Sequence, residues 1–329
     1  MKIVIHCNQF DGRGSTRLSY DYGIGLRNLL KHDIIFVTSL QNKNEGLDKL
    51  KSQFEVIVYD RPPIHNQSQQ GQIETNYLIE KIIEENNIDF IHLIKSGQYD
   101  NIVPFNCKSG VHCVFLMHEP HGTVYAGVSE YLARKFGQTL YVPHIVKNYN
   151  PTKNLRKELN ISDDSLIVGR HGGYDSFNVP FVQNCVKQIL NFRKDIYFIF
   201  LATNKFYEHE RIIYLPWEGT EEKIFNFIHS CDVMLHGRIG GETFGLACGE
   251  FSAANKPVIT WTGEGDPTYD KNHIEILGEK AILYKDEQEL MDTLYSINKS
   301  FIENNNWDMY SNRFNEKNVI NKYKEIFLT

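Results

Sequence analysis

Short apolar runs alternate with longer stretches of helical periodicity along the whole chain. In the second half most of these runs are continuous rather than alternating, which is typical of parallel strands buried on both faces. The series occurs twice and predicts two doubly wound, Rossmann-like α/β domains. The predicted strands are Lys2–Cys7, Asp33–Thr38, Phe54–Tyr59, Asp89–Ile94, His112–Met117, Leu166–Gly169, Ile196–Ala202, Ile212–Leu215, Asp232–Leu235, Pro257–Trp261 and Ala281–Tyr284.

The helical stretches show apolar stripes that need no functional explanation. Between two predicted strands of the second half, apolar residues recur at spacings of three and four, which predicts a helix with one face on the sheet. These residues are Val182, Cys185, Val186, Ile189 and Leu190.

The segment from Tyr141 to Pro151 has prolines near both ends and cannot be one helix. We therefore expect a first domain over residues 1–147 and a second over residues 148–305. From about Glu303 onward there is no glycine or proline, and the apolar spacing predicts a final helix. This tail, residues 306–329, is expected either to stand apart or to pack back on the first domain. Doubly wound sheets bind ligands at the carboxyl ends of their strands, so two such domains facing each other would form a cleft.

Composition excludes several classes of protein. Hydrophobic residues make up 41% and charged residues 23% of the 329 residues, as in soluble globular proteins. The net charge of −6 argues against a nucleic-acid partner. No apolar stretch approaches the roughly 20 residues that a membrane span needs, and we expect a cytoplasmic protein.

The helix predicted after the first strand leaves a peripheral membrane contact open. Its apolar side carries Leu18, Tyr22, Leu26, Leu29 and Leu30, with Arg17, Arg27 and Lys31 available to water. Ordinary core packing is favoured, because two glycines weaken a long amphipathic surface. The oligomeric state is not specified.

No metal site is expected, although histidines and cysteines cluster near residue 112. His112 and Cys113 adjoin in a predicted strand and so point to opposite faces. His118 and His121 lack the spacing of a helical zinc motif.

The most informative segment runs from residue 232 to residue 250. A strand, a glycine-containing loop and a helix start follow one another. The backbone amides from Thr243 through Phe244 and Gly245 to Leu246 would lie at a helix N-terminus, where they are unpaired. Gly241 and Gly245 remove side chains that could keep a phosphate away. This segment is therefore a candidate diphosphate cradle.

Two carboxylates in this segment, Glu242 and Glu250, are candidates for binding hydroxyl groups. On one helix they would be separated by about 12 Å of rise, so that one could hold a sugar and the other a ribose. The alternative interpretation is an ordinary helix-start acid at Glu242 and a solvated helix residue at Glu250.

These residues resemble the retaining, GT-B-fold glycosyltransferases of family 4, whose Glu-x7-Glu motif Glu242 and Glu250 reproduce. The likeness continues through residues 254–259, with one residue fewer between the alanine and the Pro-Val-Ile than the family carries. The resemblance implies that Glu250 holds the nucleotide ribose and Glu242 the transferred sugar. It also implies that the amides near Phe244 to Leu246 hold the donor diphosphate.

The resemblance also assigns cations to the donor diphosphate. It implies that Arg170, at the end of the first strand of the second half, binds this group. The lysine that the family carries about five residues later is absent, and Asp175 and Ser176 stand there instead. Arg238 or Lys205 would supply the missing charge, and Arg238 is preferred.

Three further contacts follow from the resemblance. His118 would touch the sugar, with His121 as the alternative. Gly12 and Gly14, in the loop after the first strand, would lie over the donor; a plain strand-to-helix turn is the alternative. A dinucleotide fingerprint is excluded there, because its third glycine would fall at Arg17. Pro216 and Trp217 would begin the base pocket.

The expected function is transfer of a hexose from a nucleoside-diphosphate sugar to a hydroxyl group of a glycan or other acceptor, with retention of anomeric configuration. The sugar nucleotide is a substrate, and neither a further cofactor nor a metal ion is expected. In this scheme the first domain binds the acceptor and the second binds the donor. The alternatives are epimerisation or phosphorolysis on the same fold, or a relative that binds glycans or nucleotides without turnover.

Overall fold

The computed structural model describes residues 1–7, 14–41, 47–217 and 220–329. These residues form two compact units. The first unit comprises Met1–Ile145 together with Phe314–Thr329, and the second comprises Val146–Arg313. The first unit is therefore built from two separate segments of the chain.

The described part of the first unit is a parallel six-stranded sheet with helices, in the strand order β3-β2-β1-β4-β5-β6. A ligand is expected where the strand order reverses, between β1 and β4. The elements are β1 (Lys2–Cys7), α1 (Gly14–Leu30), β2 (Asp33–Ser39), α2 (Leu47–Lys51), β3 (Glu55–Tyr59), α3 (Gln69–Glu85), β4 (Phe90–Lys95), β5 (Lys108–Cys113), β6 (Val124–Gly127) and α4 (Glu130–Lys135).

The second unit, over its described residues, repeats this topology with the order β14-β12-β10-β7-β8-β9. The order reverses between β7 and β10, and a separate two-stranded ladder joins β11 to β13. The elements are α5 (Leu155–Glu158), β7 (Leu166–His171), α6 (Pro180–Phe192), β8 (Ile196–Leu201), β9 (Ile212–Leu215), α7 (Glu221–Ser230), β10 (Val233–His236), β11 (Gly241–Glu242), α8 (Leu246–Ala253), β12 (Val258–Trp261), β13 (Asp270–Lys271), α9 (Asn272–Leu277), β14 (Ala281–Tyr284), α10 (Glu287–Ser296) and α11 (Lys299–Glu303).

The predicted apolar stripes lie in the cores of the two units. All five residues of the α6 stripe are buried against the second sheet, as predicted. In α1, Leu18, Tyr22 and Leu26 are at most 1% exposed and belong to the core, whereas Leu29, predicted on the same side, is 45% exposed. The side chain of Arg17, expected to be available to water, is only 12% exposed. Within the described ranges, we find no helix with the length and hydrophobicity needed to cross a lipid bilayer.

One predicted strand of the first unit is misplaced. The strand expected at His112–Met117 begins earlier, at Lys108, and ends at Cys113. Gly110 interrupts the apolar run that would have marked this strand. A Cβ at position 110 would lie 2.6 Å from the rings of Phe90 and Phe327, so these two rings fill the space that a side chain would take. β6 was not predicted, since a four-residue strand ending in glycine carries little periodic signal.

The predicted tail helix is interrupted. Residues 304–315 are not helical, and the last helix, α12, spans Glu316–Phe327. Side chains of this stretch bind backbone amides and compete with helix formation. Asp308 accepts from the amides of Tyr310 and Ser311 at 3.0 and 2.9 Å, and Asn315 caps α12 through the amide of Asn318 at 3.0 Å. α12 belongs to the first unit, where it packs on α1.

Candidate functional site

The candidate site lies at the carboxyl edge of the second sheet, where the strand order reverses. β7 ends there at Arg170 and His171, and β10 ends at His236. The loop from β10 to α8 carries Glu242 on the short strand β11. This is the position at which open α/β sheets bind ligands.

A parallel ladder fixes the backbone of Glu242. Gly241 and Glu242 of β11 pair with Asp270 and Lys271 of β13. Gly241 has a φ of 67°, and a Cβ there would lie 2.1 Å from the carbonyl oxygen of Asp270. Glycine at position 241 is therefore required by the backbone conformation and by the ladder. Glu242 lies on a strand, not on a helix, so the predicted 12 Å helical separation from Glu250 is wrong.

The ladder gives a test with a matched control. Gly240 also has a positive φ, 82°, but a Cβ there would meet no atom within 4 Å. Both Gly240→Ala and Gly241→Ala impose left-handed strain. Only Gly241→Ala adds a collision with backbone, so we expect it to cost about 1–3 kcal/mol more stability. Urea unfolding of the two variants measures this difference, and equal losses would show that the ladder does not constrain Glu242.

The Glu242 carboxylate is held by two donors. Its Oε1 lies 3.3 Å from Nε2 of His236, and its Oε2 accepts from Nη1 of Arg238 at 2.9 Å. Burial by itself would raise the pKa of Glu242. The hydrogen bond from His236 and the charge of Arg238 outweigh it and hold the pKa well below its usual value. The side chain is 21% exposed, so a charged carboxylate with free lone pairs faces the surface.

A buried polar chain lies behind Glu242, and the sequence prediction missed it. Nδ1 of His236 is 2.9 Å from Oγ1 of Thr260, which is 2.9 Å from Nε2 of His273. His236 and Thr260 are register partners on β10 and β12. The available signal was that both residues lie at or near the carboxyl ends of consecutive predicted strands, although their register is not readable from a single sequence.

Arg170 lies beside this site but is engaged with the protein. Nη1 donates to Oγ1 of Thr203 at 2.7 Å and to the carbonyl of Gly173 at 3.3 Å. Nη2 donates to the same carbonyl and to Oγ of Ser176. All four Nη hydrogens are thus used. Burial lowers the pKa of Arg170 to about 10, which leaves it charged at neutral pH. Ser176, which lies near the position where the family carries its lysine, therefore holds Arg170 in place.

The start of α8 is shaped by packing. Gly245 is the cap residue in the left-handed region, and a Cβ there would lie 2.7 Å from Cβ of His273. Phe244 is buried and meets the ring of Tyr310 edge-on. The carbonyl of Thr243 accepts from Asn272 at 2.9 Å. The Phe244 side chain is therefore structural. An anion that binds at this turn would bind the first backbone amides of α8.

Glu250 lies inside the second unit. It is 0% exposed, and its Oε2 is 3.1 Å from Nε2 of His171. The ring of His171 also stacks with that of Phe251, with the ring centroids 5.9 Å apart. The interpretation of Glu250 as a solvated helix residue is therefore wrong. In this conformation its carboxylate also presents no surface to a ribose, and a direct contact would require it to become exposed.

The remaining predicted residues are spread over both units. In the second unit Lys205 and Pro216 are exposed, and Trp217 is half-buried, with its amide donating to Tyr174 Oη at 3.1 Å. In the first unit, Gly14 is exposed at the start of α1. The structure brings together Glu242 and Arg238 and adds His236.

The first unit also carries the predicted sugar contact His118 and the predicted donor contact Gly12. His118 is exposed in the segment after β5, with its ring 4.4 Å from that of Phe136. His121, its alternative, lies 3.2 Å from Nζ of the buried Lys95. Gly12 lies outside the described residues.

Comparisons with known proteins show similarity of fold. No protein-family model matches the chain, and no curated protein matches its sequence. A glycosyltransferase from Rickettsia africae ESF-5 is 14% identical, with 99% of this chain and 98% of that chain covered and a TM-score of 0.72. Anabaena Alr3699/HepE in complex with UDP-glucose is 13% identical over 99% and 98% of the two chains, with a TM-score of 0.74.

A protein designated a UDP-N-acetylglucosamine 2-epimerase from Listeria monocytogenes is also similar in structure. It is 13% identical, with 98% and 96% of the chains covered and a TM-score of 0.63. The fold, with its two six-stranded parallel sheets among the described residues, is that of the GT-B glycosyltransferases. This confirms the predicted class of two Rossmann-like units, while a cleft between them stays a prediction.

Proposed function

We propose that this protein transfers a sugar from a nucleoside diphosphate to a hydroxyl acceptor. The observation that carries the proposal is the charged Glu242 carboxylate, held by His236 and Arg238 at the switch point of the second sheet. A fixed carboxylate with lone pairs to spare is suited to accept hydrogen bonds from sugar hydroxyls. Similarity in fold to glycosyltransferases supports this interpretation.

The donor nucleotide is proposed to be a uridine diphosphate sugar. The Anabaena protein of similar fold has been crystallised with UDP and with UDP-glucose. Arg238 is 34% exposed and fixed beside Glu242, so its guanidinium can face a diphosphate while still neutralising the carboxylate. The first amides of α8 add partial positive charge. Arg170, near the end of β7, is proposed to contribute further positive charge. Trp217 and Pro216 are proposed to border the base.

The proposed reaction retains anomeric configuration and moves a hexose, in keeping with the Glu-x7-Glu resemblance to family 4. The bond between the anomeric carbon and the diphosphate oxygen breaks, and a bond to the acceptor oxygen forms on the same face. The acceptor proton passes to the departing diphosphate. Charge on that group is stabilised by Arg238, Arg170 and the helix start, without a divalent metal. The contacts expected of His118 with the sugar and of Gly14 with the donor stay predictions, because both residues belong to the first unit.

Glu250 receives a different proposed role from the one that the resemblance implies. Its carboxylate pairs with His171 and is fully buried, so we propose that it positions the end of β7, where Arg170 lies. A ribose contact would follow only from a donor-induced rearrangement of α8.

Epimerisation of a sugar nucleotide is the second candidate, and the similarity to the Listeria protein favours it over phosphorolysis and over binding without turnover. Both transfer and epimerisation need a donor site in the second unit, but only transfer needs an acceptor. Incubation with a UDP-sugar alone separates them: an epimerase interconverts the sugar, whereas a transferase releases UDP only when a hydroxyl acceptor is present.

Titration calorimetry tests the donor site. With chelator present, we expect UDP or one of its sugars to bind and NAD to give no heat. Arg238→Gln should weaken UDP binding by about tenfold, because it removes a charged hydrogen bond. Lys205→Gln is the matched control, since Lys205 is the other cation considered for this role and lies exposed after β8. Loss in the Lys205 variant alone would transfer the role to Lys205, and no binding of any nucleotide would refute the donor site.

A further inference from the structure

Three side chains behind Glu242 form a continuous polar chain with no exposed member. His236, Thr260 and His273 are 4%, 0% and 0% exposed. The links are 3.3 Å from Glu242 to His236, then 2.9 Å to Thr260 and 2.9 Å to His273. The rings of the two histidines lie 4.6 Å apart. Proton positions in such a chain are set by which atoms are able to donate.

The direction of each hydrogen bond in the chain can be assigned starting from the Glu242 carboxylate, which can only accept hydrogen bonds. Nε2 of His236 must therefore carry a hydrogen to bind Glu242. In the neutral ring Nδ1 is then bare and must accept, and its neighbour Thr260 has one hydroxyl hydrogen to give. With that hydrogen used, Thr260 oxygen accepts from Nε2–H of His273. The chain is satisfied in this direction from His273 to Glu242.

The far end of the chain is consistent with this direction. Burial lowers the pKa of His273 well below its usual value, so its ring is neutral. With the hydrogen on Nε2, its Nδ1 is bare, and Nδ1 is a buried atom without a hydrogen-bond partner among the described residues. The reverse direction would bury an unpaired N–H group at Nδ1, and orphaned donors are the rarer case.

Other polar groups around the chain leave this accounting intact. Arg238 binds Glu242, and Tyr284 donates to the carbonyl oxygen of His236 at 2.7 Å. Tyr269 donates its hydroxyl hydrogen to the carbonyl of Trp261 at 3.0 Å, and its oxygen is a second acceptor within hydrogen-bond reach of Thr260. None of these groups offers Nδ1 of His236 another hydrogen, so Thr260 is its donor.

From this geometry we propose that Thr260 and His273 are positioning residues that hold His236 in its Nε2–H tautomer and thereby orient the Glu242 carboxylate. The inference rests on the proposed function only for its effect on catalysis. The 3.3 Å contact to Glu242 sets the direction of the chain, because a carboxylate only accepts hydrogen bonds, and the shorter 2.9 Å contact, in which Thr260 donates to Nδ1, stabilises the same tautomer. The chain therefore acts as a second layer of support for the sugar-binding carboxylate.

The tautomer is directly measurable in the ligand-free protein. Nitrogen-15 NMR of histidine-labelled protein is expected to show His236 with hydrogen on Nε2 and a hydrogen-bonded, bare Nδ1. Thr260→Val keeps the shape of the side chain and removes the hydroxyl, so the Nδ1 resonance should shift and both tautomers should appear. Thr260→Ser restores the hydroxyl and should restore the single tautomer. A wild-type ring protonated on Nδ1, or a Thr260→Val spectrum identical to wild type, would overturn the proposal.

Activity provides an independent second readout. We expect Thr260→Val to lower kcat of sugar transfer by about tenfold with little change in bare UDP binding, and Thr260→Ser to recover most of it. A protein that binds no sugar nucleotide but shows the expected tautomer would refute the proposed function and retain the positioning chain. If Thr260→Val does not fold, the wild-type spectrum still decides the proposal.

Discussion

Glu242→Gln is expected to lower sugar transfer by about 10²–10³-fold while the protein stays folded and binds bare UDP nearly as well as before. The substitution keeps the shape of the side chain and removes the negative charge that Arg238 and His236 hold in place. A neutral amide accepts weaker hydrogen bonds from sugar hydroxyls than a carboxylate does. The measurements are kcat with a UDP-sugar donor and calorimetry with UDP.

The control for this prediction is Glu264→Gln, the same chemical change at an exposed acid in the loop between β12 and β13. It should leave both kcat and UDP binding unchanged. If Glu242→Gln abolishes binding of bare UDP, the carboxylate acts on the nucleotide rather than on the sugar. If neither variant changes kcat, the site lies elsewhere.

The first unit is expected to lose stability steeply between about pH 6.5 and pH 4. Burial lowers the pKa of His6 and of His112 to about 4, and it also lowers the pKa of His92 well below its usual value. Unfolded histidine titrates near pH 6.5, so the unfolded chain binds more protons throughout this window. Their stabilising contribution is complete above pH 6.5 and falls as the pH approaches the folded values. Each of the first two groups accounts for about 3 kcal/mol at most.

The geometry explains why these rings resist protonation. Nε2–H of His112 donates to the carbonyl of Val142 at 2.8 Å, and bare Nδ1 of His112 faces Nε2 of His92 at 3.3 Å. The hydrogen between the two rings belongs to His92, so a proton added to Nδ1 of His112 would set two N–H groups against each other. Such a clash adds to the cost of burying the charge.

Urea unfolding followed by circular dichroism from pH 7.5 to pH 4.5 checks the acid loss. His92→Phe keeps an aromatic ring in the cluster and removes one titrating group, so it should reduce the slope by about 1.4 kcal/mol per pH unit. His65→Asn, at an exposed position, should keep the wild-type slope. A stability that is flat across this range, or equal slopes in all three proteins, would contradict the prediction.

Sequence patterns predicted the fold because buried parallel strands are continuous apolar runs. The patterns failed at Gly110, which has no side chain and whose space is filled by Phe90 and Phe327. They failed again at residues 304–315, where Asp308 and Asn315 bind backbone amides locally. Apolar spacing indicates which residues are buried, but it does not show where side chains bind backbone amides and so compete with helix formation.

The site was predictable in part. Glu242 and Arg238 lie four residues apart in one loop, and their pairing is local. His236 and Thr260 come together through strand register, and His273 joins them from α9; a single sequence displays neither the register nor the position of that helix. The burial of Glu250 had a readable signal: every residue of α8 except Glu250 and Ser252 is apolar or small, so the helix has no polar face. A helix that is apolar all round is buried, and its one acid must then be buried with it.

The return of α12 to the first unit sets the order in which the two units are able to finish folding on the ribosome. Tyr323 of this helix contacts Tyr22 and His92, with ring centroids 5.2 and 5.1 Å apart, and Phe327 contacts Phe90. These partners are synthesised early, yet their packing is completed only when residues 316–327 have been synthesised. The second unit, whose sequence is contiguous, is complete before α12 emerges. During translation the first unit therefore exposes an aromatic surface, and a chain released before Glu316 would keep that surface open to chaperones and proteases.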